Sequence, residues 1–218
     1  MIVSPTWLLV DDAQVTVYDA MVQVEDLPAF ALRPDPAQYV AQWMLRDGTP
    51  VTIRPIRPED EPLMIRFHET LSEQTVEMRY FGPQKLSQRI APEQLLRMRC
   101  IDYEREIVLL VEQWDPTTDN RAILGLGCLI RLHHSDDAEV ALLVSDVWQG
   151  QGIGSELLRR LIQIGRDKGL ARIVGEVLLD NQVALKILPR LSVMPSEGAI
   201  RVEVLGFREW RPRASSLL

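Results

Sequence analysis

The sequence predicts an α/β fold, a mixed sheet with helices on both faces, and three observations carry that expectation. Stretches of period-two and period-3.6 hydrophobicity follow one another in the order β-α-α-β-β-β-α-β-α-β. The middle of the chain, Glu139 to Ser155, reads as a short apolar strand, a glycine-rich loop and the start of a helix. A three-stranded meander leads into that stretch, and a strand–helix–strand crossover leads out of it, which places a parallel pair in the sheet.

The first thirty residues hold two strand-like runs, Trp7 to Val10 and Val15 to Val17, with Met21 to Val24 a possible third. They contain too few apolar residues for a core of their own. Pro28, Pro34 and Pro36 mark a linker, and Tyr39 to Leu45 is one more extended or helical segment. The main domain opens at the Asp47-Gly48 turn. Val51 and Ile53 alternate as in a strand, which Pro55 places near an edge. Asp60 can cap a helix that tolerates Pro62 in its first turn and carries a stripe of Leu63, Met64, Phe67 and Leu71. His68, on that helix, is expected to be exposed. A second short helix ends at Met78 to Pro83, and Pro92 to Arg99 reads as a third.

Ile107 to Val111 is a buried strand, Asp115 to Asn120 a turn, and Ile123 to Leu132 a longer strand containing Gly125 and Gly127. After a turn at His133 to Asp137, the run Val140 to Val144 has a strand's length and branching. The helix from Ile153 to Lys168 shows one apolar face, Ile153, Leu157, Leu158, Leu161, Ile164 and Gly165, and Gly169 stands where a C-cap glycine belongs. Arg172 to Leu179 is a strand, Asn181 to Leu188 a helix, and Ile200 to Leu205 the closing strand, before a tail at Arg211 to Leu218.

The loop Gln149-Gly150-Gln151-Gly152-Ile153-Gly154 between strand and helix is a device for holding phosphates. Glycines let an anion approach backbone N–H groups, and the first helical turn offers unpaired donors and a partial positive charge of roughly half a unit. The spacing is not G-x-G-x-x-G, since position 155 is serine, and no G-K-S/T is present, so neither a Rossmann fingerprint nor a P-loop fits. A tight turn that needs glycine only for packing is the bland alternative. What fits is Q/R-x-x-G-x-G/A, met by Gln149, Gly152 and Gly154. That pattern resembles the coenzyme A pyrophosphate loop of the GNAT acyltransferase superfamily.

The resemblance extends beyond the loop. Asp47 to Asp60, Leu71-Ser72, Arg79-Tyr80-Phe81-Gly82 and Ile101-Asp102-Tyr103 are similar to the C-terminal acetyltransferase domain of bacterial protein lysine acetyltransferases, whose other half resembles an ADP-forming acyl-CoA synthetase. The resemblance implies a GNAT fold, with a mixed, mostly antiparallel sheet flanked by helices, over 47–210. It also suggests that 1–46 corresponds to the last strands of an ATP-grasp half plus a linker, with 211–218 a tail. Ser4-Pro5 stands where the family has Asn-Pro, and the expectation is a split or truncated member without a working synthetase site. The alternative is that Met1 is a genuine start and the hairpin only covers the sheet.

Acetyl transfer to an amine needs a bound thioester, a neutral amine and stabilisation of an oxyanion. A lysine with a pKa of about 10.4 costs about 4 kcal/mol to deprotonate near neutral pH unless a base takes the proton. The resemblance places the catalytic glutamate at Glu139, whose alternative is a solvated carboxylate at a strand start. It places Leu142, Leu143 and Val144 beside the pantetheine arm, with a backbone N–H polarising the thioester carbonyl. It places the phosphates on Gln149, Gly150, Gln151, Gly152, Ile153, Gly154 and Ser155. Asn181 matches an asparagine that helps hold coenzyme A, and a helix N-cap is its alternative. The family's tyrosine acid has no counterpart, because position 188 is leucine.

Acetyl-CoA is therefore the expected co-substrate, with no metal: adjacent His133 and His134 point to opposite sides and chelate poorly. Cys128, in an apolar strand, reads as core. Tyr80 and Phe81 could line the acceptor site or pack in the core, and Arg159-Arg160 reads as a solvated helix face. The net charge of −7 disfavours nonspecific nucleic-acid binding and suits a cationic partner, such as a lysine-bearing protein surface. No run of about 18 apolar residues is present to span a membrane. Two cysteines without C-x-x-C, and a start lacking a signal-peptide pattern, point to the cytoplasm. The leading expectation is transfer of acetyl from acetyl-CoA to a protein lysine, on an acyl-CoA synthetase by resemblance, through a ternary complex. A non-catalytic CoA-binding module and a small-amine acetyltransferase are the alternatives.

Overall fold

The computed structural model describes residues 37–92, 103, 105–115, 117–132, 135–187, 192–196 and 199–204, all within the unit Pro34–Leu218, the last two stretches as backbone. The expected N-terminal hairpin, the helix at Pro92 to Arg99, His133-His134, Leu188 and the C-terminal tail lie outside these residues.

Eight strands form one sheet in the order β1-β2-β3-β4-β5-β6-β8-β7. They are β1 (Ala41–Met44), β2 (Pro50–Pro55), β3 (Glu106–Asp115), β4 (Asn120–Arg131), β5 (Asp137–Val144), β6 (Arg172–Leu178), β7 (Ser192–Ser196) and β8 (Ala199–Val204). Every neighbouring pair is antiparallel except β5 and β6. Helices α1 (Glu61–Glu69), α2 (Glu73–Tyr80) and α3 (Leu86–Arg89) come before β3. Helix α4 (Ile153–Asp167) makes the β5–β6 crossover, and α5 (Gln182–Ile187) follows β6.

Strand alternation divides the core between the two faces. Ile107, Leu109 and Val111 of β3 join Leu157, Leu158 and Leu161 of α4 on one side. Leu110 joins Met64 and Phe67 of α1 and Val76 of α2 on the other. Helix α4 needs close approach to the sheet, and Gly127 permits it: a Cβ there would stand 2.8 Å from Leu142 Cδ2 and 2.9 Å from Leu161 Cδ1. A register shift opposite Val111 and Glu112 leaves Leu124 as the extra residue of β4.

Two strands escape the sequence pattern. β1, placed by sequence in the segment preceding the domain, pairs with β2 from Ala41↔Ile53 to Met44↔Pro50. β2 is consequently not an edge, and Pro55 is tolerated because it is the strand's last residue. β7, in a stretch to which the sequence assigns no element, pairs with β8; five residues containing Pro195 carry little period-two signal.

His68 corrects another expectation. It is 6 % exposed, packs edge-on against Phe67 with ring centroids 5.6 Å apart, and its carbonyl accepts from Arg89 Nη1 at 2.9 Å. Burial, aided by the charges of Arg89 and Arg79, pushes its imidazole down to about 4. At the other end of α1, Arg54 lies buried between Asp60, at 2.7 Å, and Glu112, at 2.8 Å. Burial opposes the guanidinium's charge, but the bonds to Asp60 and then Glu112 outweigh it and raise its pKa.

Two outcomes test this packing. Gly127→Val should lower stability by about 1–3 kcal/mol, read from urea denaturation, because α4 leaves no room for the added methyls. For His68, the unfolded chain binds a proton below about pH 6.5 and the native chain only near 4. The stability it contributes is therefore complete above pH 6.5 and is lost as pH falls toward 4, by roughly 3 kcal/mol in all. His68→Gln should flatten that part of the stability–pH curve.

Candidate active site

Strands β5 and β6 pair in parallel over only three positions, Asp137↔Arg172, Ala138↔Ile173 and Glu139↔Val174. Beyond Glu139 the strands part, and the wedge between them is a cleft of about 710 Å³. Its walls include Leu142, Leu143 and Val144 on one side and Gly175, Glu176 and Val177 on the other. The backbone groups of β5 that face the wedge have no ladder partner there, which leaves an open strand edge inside a pocket. A flexible chain with amide groups can use such an edge as it would a neighbouring strand.

Glu139 is the last paired residue before the opening. It is exposed and lines the cleft. Among the described residues no hydrogen bond or ion pair occupies its carboxylate.

The opposite end of β5 runs through a 3-10 turn, Asp146–Trp148, into the glycine loop. Gly150 and Gly152 have φ of 79° and 91°, values that glycine adopts without strain. Gly152 is the N-cap of α4, no side chain caps the helix, and the first intrahelical bond runs from Glu156 N to Gly152 O. The amides of the first turn are thus left for a ligand. Gly150, Gly152, Ile153, Gly154 and Ser155 all line the cleft. Ile153 does so by its backbone, its side chain being 1 % exposed in the core. A Cβ on Gly154 would stand 3.2 Å from Ile187 Cδ1, so α5 lies against the same turn.

Two expected ligand residues have side-chain partners within the protein, and Gln149 also lines the cleft. Gln149 Nε2 donates to Thr75 Oγ1 at 3.1 Å and to the Val144 carbonyl at 3.3 Å, so its amide frames the loop. Gln151 lies off the cleft lining; its Oε1 accepts from Asp47 N at 3.2 Å. A motif specifies residue types but not side-chain direction, and positive-φ glycines on either side of Gln151 turn it outward. Asn181 lines the cleft, and its Oδ1 caps α5 by accepting from Ala184 N at 3.0 Å.

Sequence reasoning missed the scaffold of this loop. Asp146 accepts from Ser72 N (2.8 Å), Ser72 Oγ (2.7 Å) and Thr75 Oγ1 (2.7 Å). Burial pushes the Asp146 carboxyl up, but those Ser72 and Thr75 bonds outweigh it and hold the group below its ordinary value. Ser145 and Thr70 bond through their hydroxyls at 2.9 Å. The signal was present in Ser72-x-x-Thr75, but its partner lies more than 70 residues away. Phe81, with φ of 60°, is 44 % exposed at the cleft, whereas Tyr80 packs on the core. Burial pushes the Cys128 thiol up, which removes it as a nucleophile. Glu156 binds both Arg159 and Arg160, so that pair closes an ion network on α4. No cluster of metal-ligating side chains occurs among the described residues, and no helix there is long and apolar enough to cross a membrane.

Known proteins share this arrangement. Residues 51–192 match the acetyltransferase (GNAT) domain family. The chain is 28 % identical over 195 residues to the acetyltransferase Pat of Mycolicibacterium smegmatis, covering 86 % of this chain and 54 % of that protein. It is 29 % identical over 131 residues to the acetyltransferase PA5475 of Pseudomonas aeruginosa, covering 59 % and 67 % respectively. The chain thus spans about half the length of the first of these relatives. Among solved structures, the GNAT domain of S. lividans PAT superposes with a TM-score of 0.67 at 26 % identity, over 77 % of this chain and 97 % of that one. The family match over more than half of the chain, with the superposition on a solved GNAT domain, leads to one conclusion: the chain belongs to the GNAT acetyltransferase family.

Proposed function

We propose that this chain transfers an acetyl group from acetyl-CoA to a lysine side-chain amine of a protein, with an acyl-CoA synthetase as the acceptor class to test first. The observation that carries the reading is the position of Glu139. It is the last residue held between β5 and β6, at the point where the cleft opens, and the glycine loop ends the same strand. The site of a proton acceptor and an anion cradle are thus joined by one strand of eight residues and the short turn that follows it.

The donor set fits coenzyme A. Unpaired amides at Gly152 to Ser155 suit a diphosphate, and the open edge of β5 suits the amides of a pantetheine arm. When bound, acetyl-CoA supplies an activated acyl group at a thioester. Reaching the neutral amine costs about 4 kcal/mol near neutral pH, and Glu139, directly or through a water, is the group placed to receive that proton. A backbone N–H on the free edge at Leu142 to Val144 stabilises the oxyanion as the amine adds. Collapse breaks the C–S bond; the second proton of the attacking nitrogen leaves to solvent, and solvent protonates the departing thiolate, since position 188 is leucine. Attack is direct: the Cys128 thiol is buried, and no other nucleophile is required.

Glu139 and Glu176, both exposed on the cleft lining where the two strands part, favour a cationic acceptor at that end. Phe81 offers an apolar contact for the aliphatic stem of a lysine. The cytoplasm is the compartment in which both acetyl-CoA and such an acceptor would be met.

The test is acetyl-CoA turnover with a purified acyl-CoA synthetase. Thiol release and acetyl-lysine on the acceptor are the expected result, and Glu139→Gln should reduce the rate by about 10²–10⁴-fold while leaving coenzyme A affinity unchanged. Turnover on free polyamines or amino acids but not on the protein would favour a small-amine enzyme. Binding without turnover on any amine would reduce the chain to a coenzyme-binding module.

A further inference from the structure

The loop that faces the cleft carries no cation of its own. Where its motif admits glutamine or arginine this chain has Gln149, whose amide is engaged by Thr75 and Val144. The free amides of the loop and helix supply partial charges only, about half a unit for the helix end. A diphosphate brings full charges, so the site as drawn from its motif is under-compensated.

A cation arrives from outside the motif. Arg46 lies in the turn between β1 and β2, and its Nη1 donates to the Gly150 carbonyl at 2.9 Å. Its Nε lies 3.6 Å from where a Cβ on Gly152 would stand. The residue is exposed and lines the cleft. Among the described residues no carboxylate pairs with it, in a chain whose net charge is −7. A guanidinium has five N–H groups in a planar fork, and the Gly150 carbonyl engages only one.

The fork is also held in place. Arg46 N donates to the Gln151 carbonyl at 3.4 Å, and Asp47 N donates to Gln151 Oε1 at 3.2 Å. The Trp43 indole lies 3.5 Å from the Cβ position of Gly152. A long side chain anchored beside its ligand loses less entropy on binding than one that must be recruited from solvent.

We propose that Arg46 is a coenzyme-binding residue, supplying the fixed positive charge of the diphosphate site from the β1–β2 hairpin. The proposal rests on the coenzyme reading of the glycine loop. Its subject is an ion pair, so it has a signature that simple loop scaffolding lacks: sensitivity to salt.

The experiment is calorimetric titration of coenzyme A into the full chain, with wild type, Arg46→Gln and Arg46→Lys, at low and raised ionic strength. Thermal melting of each variant verifies the fold. Wild-type affinity should fall with salt. Arg46→Gln should bind about tenfold more weakly at low salt and show a flatter salt dependence, with Arg46→Lys between the two. Equal affinity in wild type and Arg46→Gln would overturn the proposal. So would weaker binding with an unchanged salt dependence, which would mark Arg46 as scaffold for Gly150 alone. A wild type that binds no coenzyme A at either ionic strength would instead remove the coenzyme reading itself, and this proposal with it.

Discussion

Everything functional in this protein depends on a parallel pairing that stops early. Strands β5 and β6 hold each other for three residues and then separate. Continued pairing would satisfy the backbone of Val140 to Val144 and leave no room for a ligand. Separation leaves the groups that face away from β4 without a strand partner, a state that a protein interior tolerates only where water or a ligand can reach it. The α4 crossover enforces the geometry: its buried face, from Ile153 to Gly165, fills the space beneath the sheet and holds the C-terminal end of β5 against β4. The wedge is thus a consequence of packing on one face of the sheet, and it opens at the strands' C-terminal ends, where α/β folds commonly bind ligands.

A wedge with two polar walls needs its rims fixed from outside. On one rim, Asp146 gathers three donors from Ser72 and Thr75, and Ser145 meets Thr70, so the α1–α2 connection is tied to the end of β5. On the other, the β1–β2 hairpin presses Trp43 and Arg46 against the glycine loop. At the far end of α1, the buried Arg54–Asp60–Glu112 network sets where that helix begins. Buried ion pairs contribute modest net stability, because desolvation offsets their attraction, but they specify geometry and are costly to break singly.

How much of this could be read from sequence follows from the range of each signal. Helix α4 was legible because its apolar residues recur over four turns, and the loop because glycine spacing is a local property. The meander and crossover follow from element order, whereas Glu139 was singled out by the family resemblance. β1 was legible only as an extended or helical segment: four residues reading half-buried, exposed, half-buried, exposed carry too short an alternation to choose between them. His68 looked exposed because α1 was judged alone, whereas Arg89 of α3 covers it. Gln149 and Gln151 fit the motif by type, and their side chains bond to Thr75 and Asp47, contacts made across 74 and 104 positions of sequence. Periodicity reports which face of an element is dry; it is silent on which distant residue arrives there.

The β1–β2 hairpin has a bearing on where this protein can be cut. Composition draws the domain boundary at the Asp47-Gly48 turn, and a fragment starting there would retain Glu139, the glycine loop, Asn181 and every other motif residue. It would lose Trp43 and Arg46, and β2 would become a bare edge with its ladder groups exposed. Such a fragment would keep the whole signature of the family while its loop stood unbraced and its sheet offered a new surface for self-association. In this fold the signature and the strut that holds it belong to different stretches of chain, and truncation, domain grafting or library design guided by motif alone would separate them.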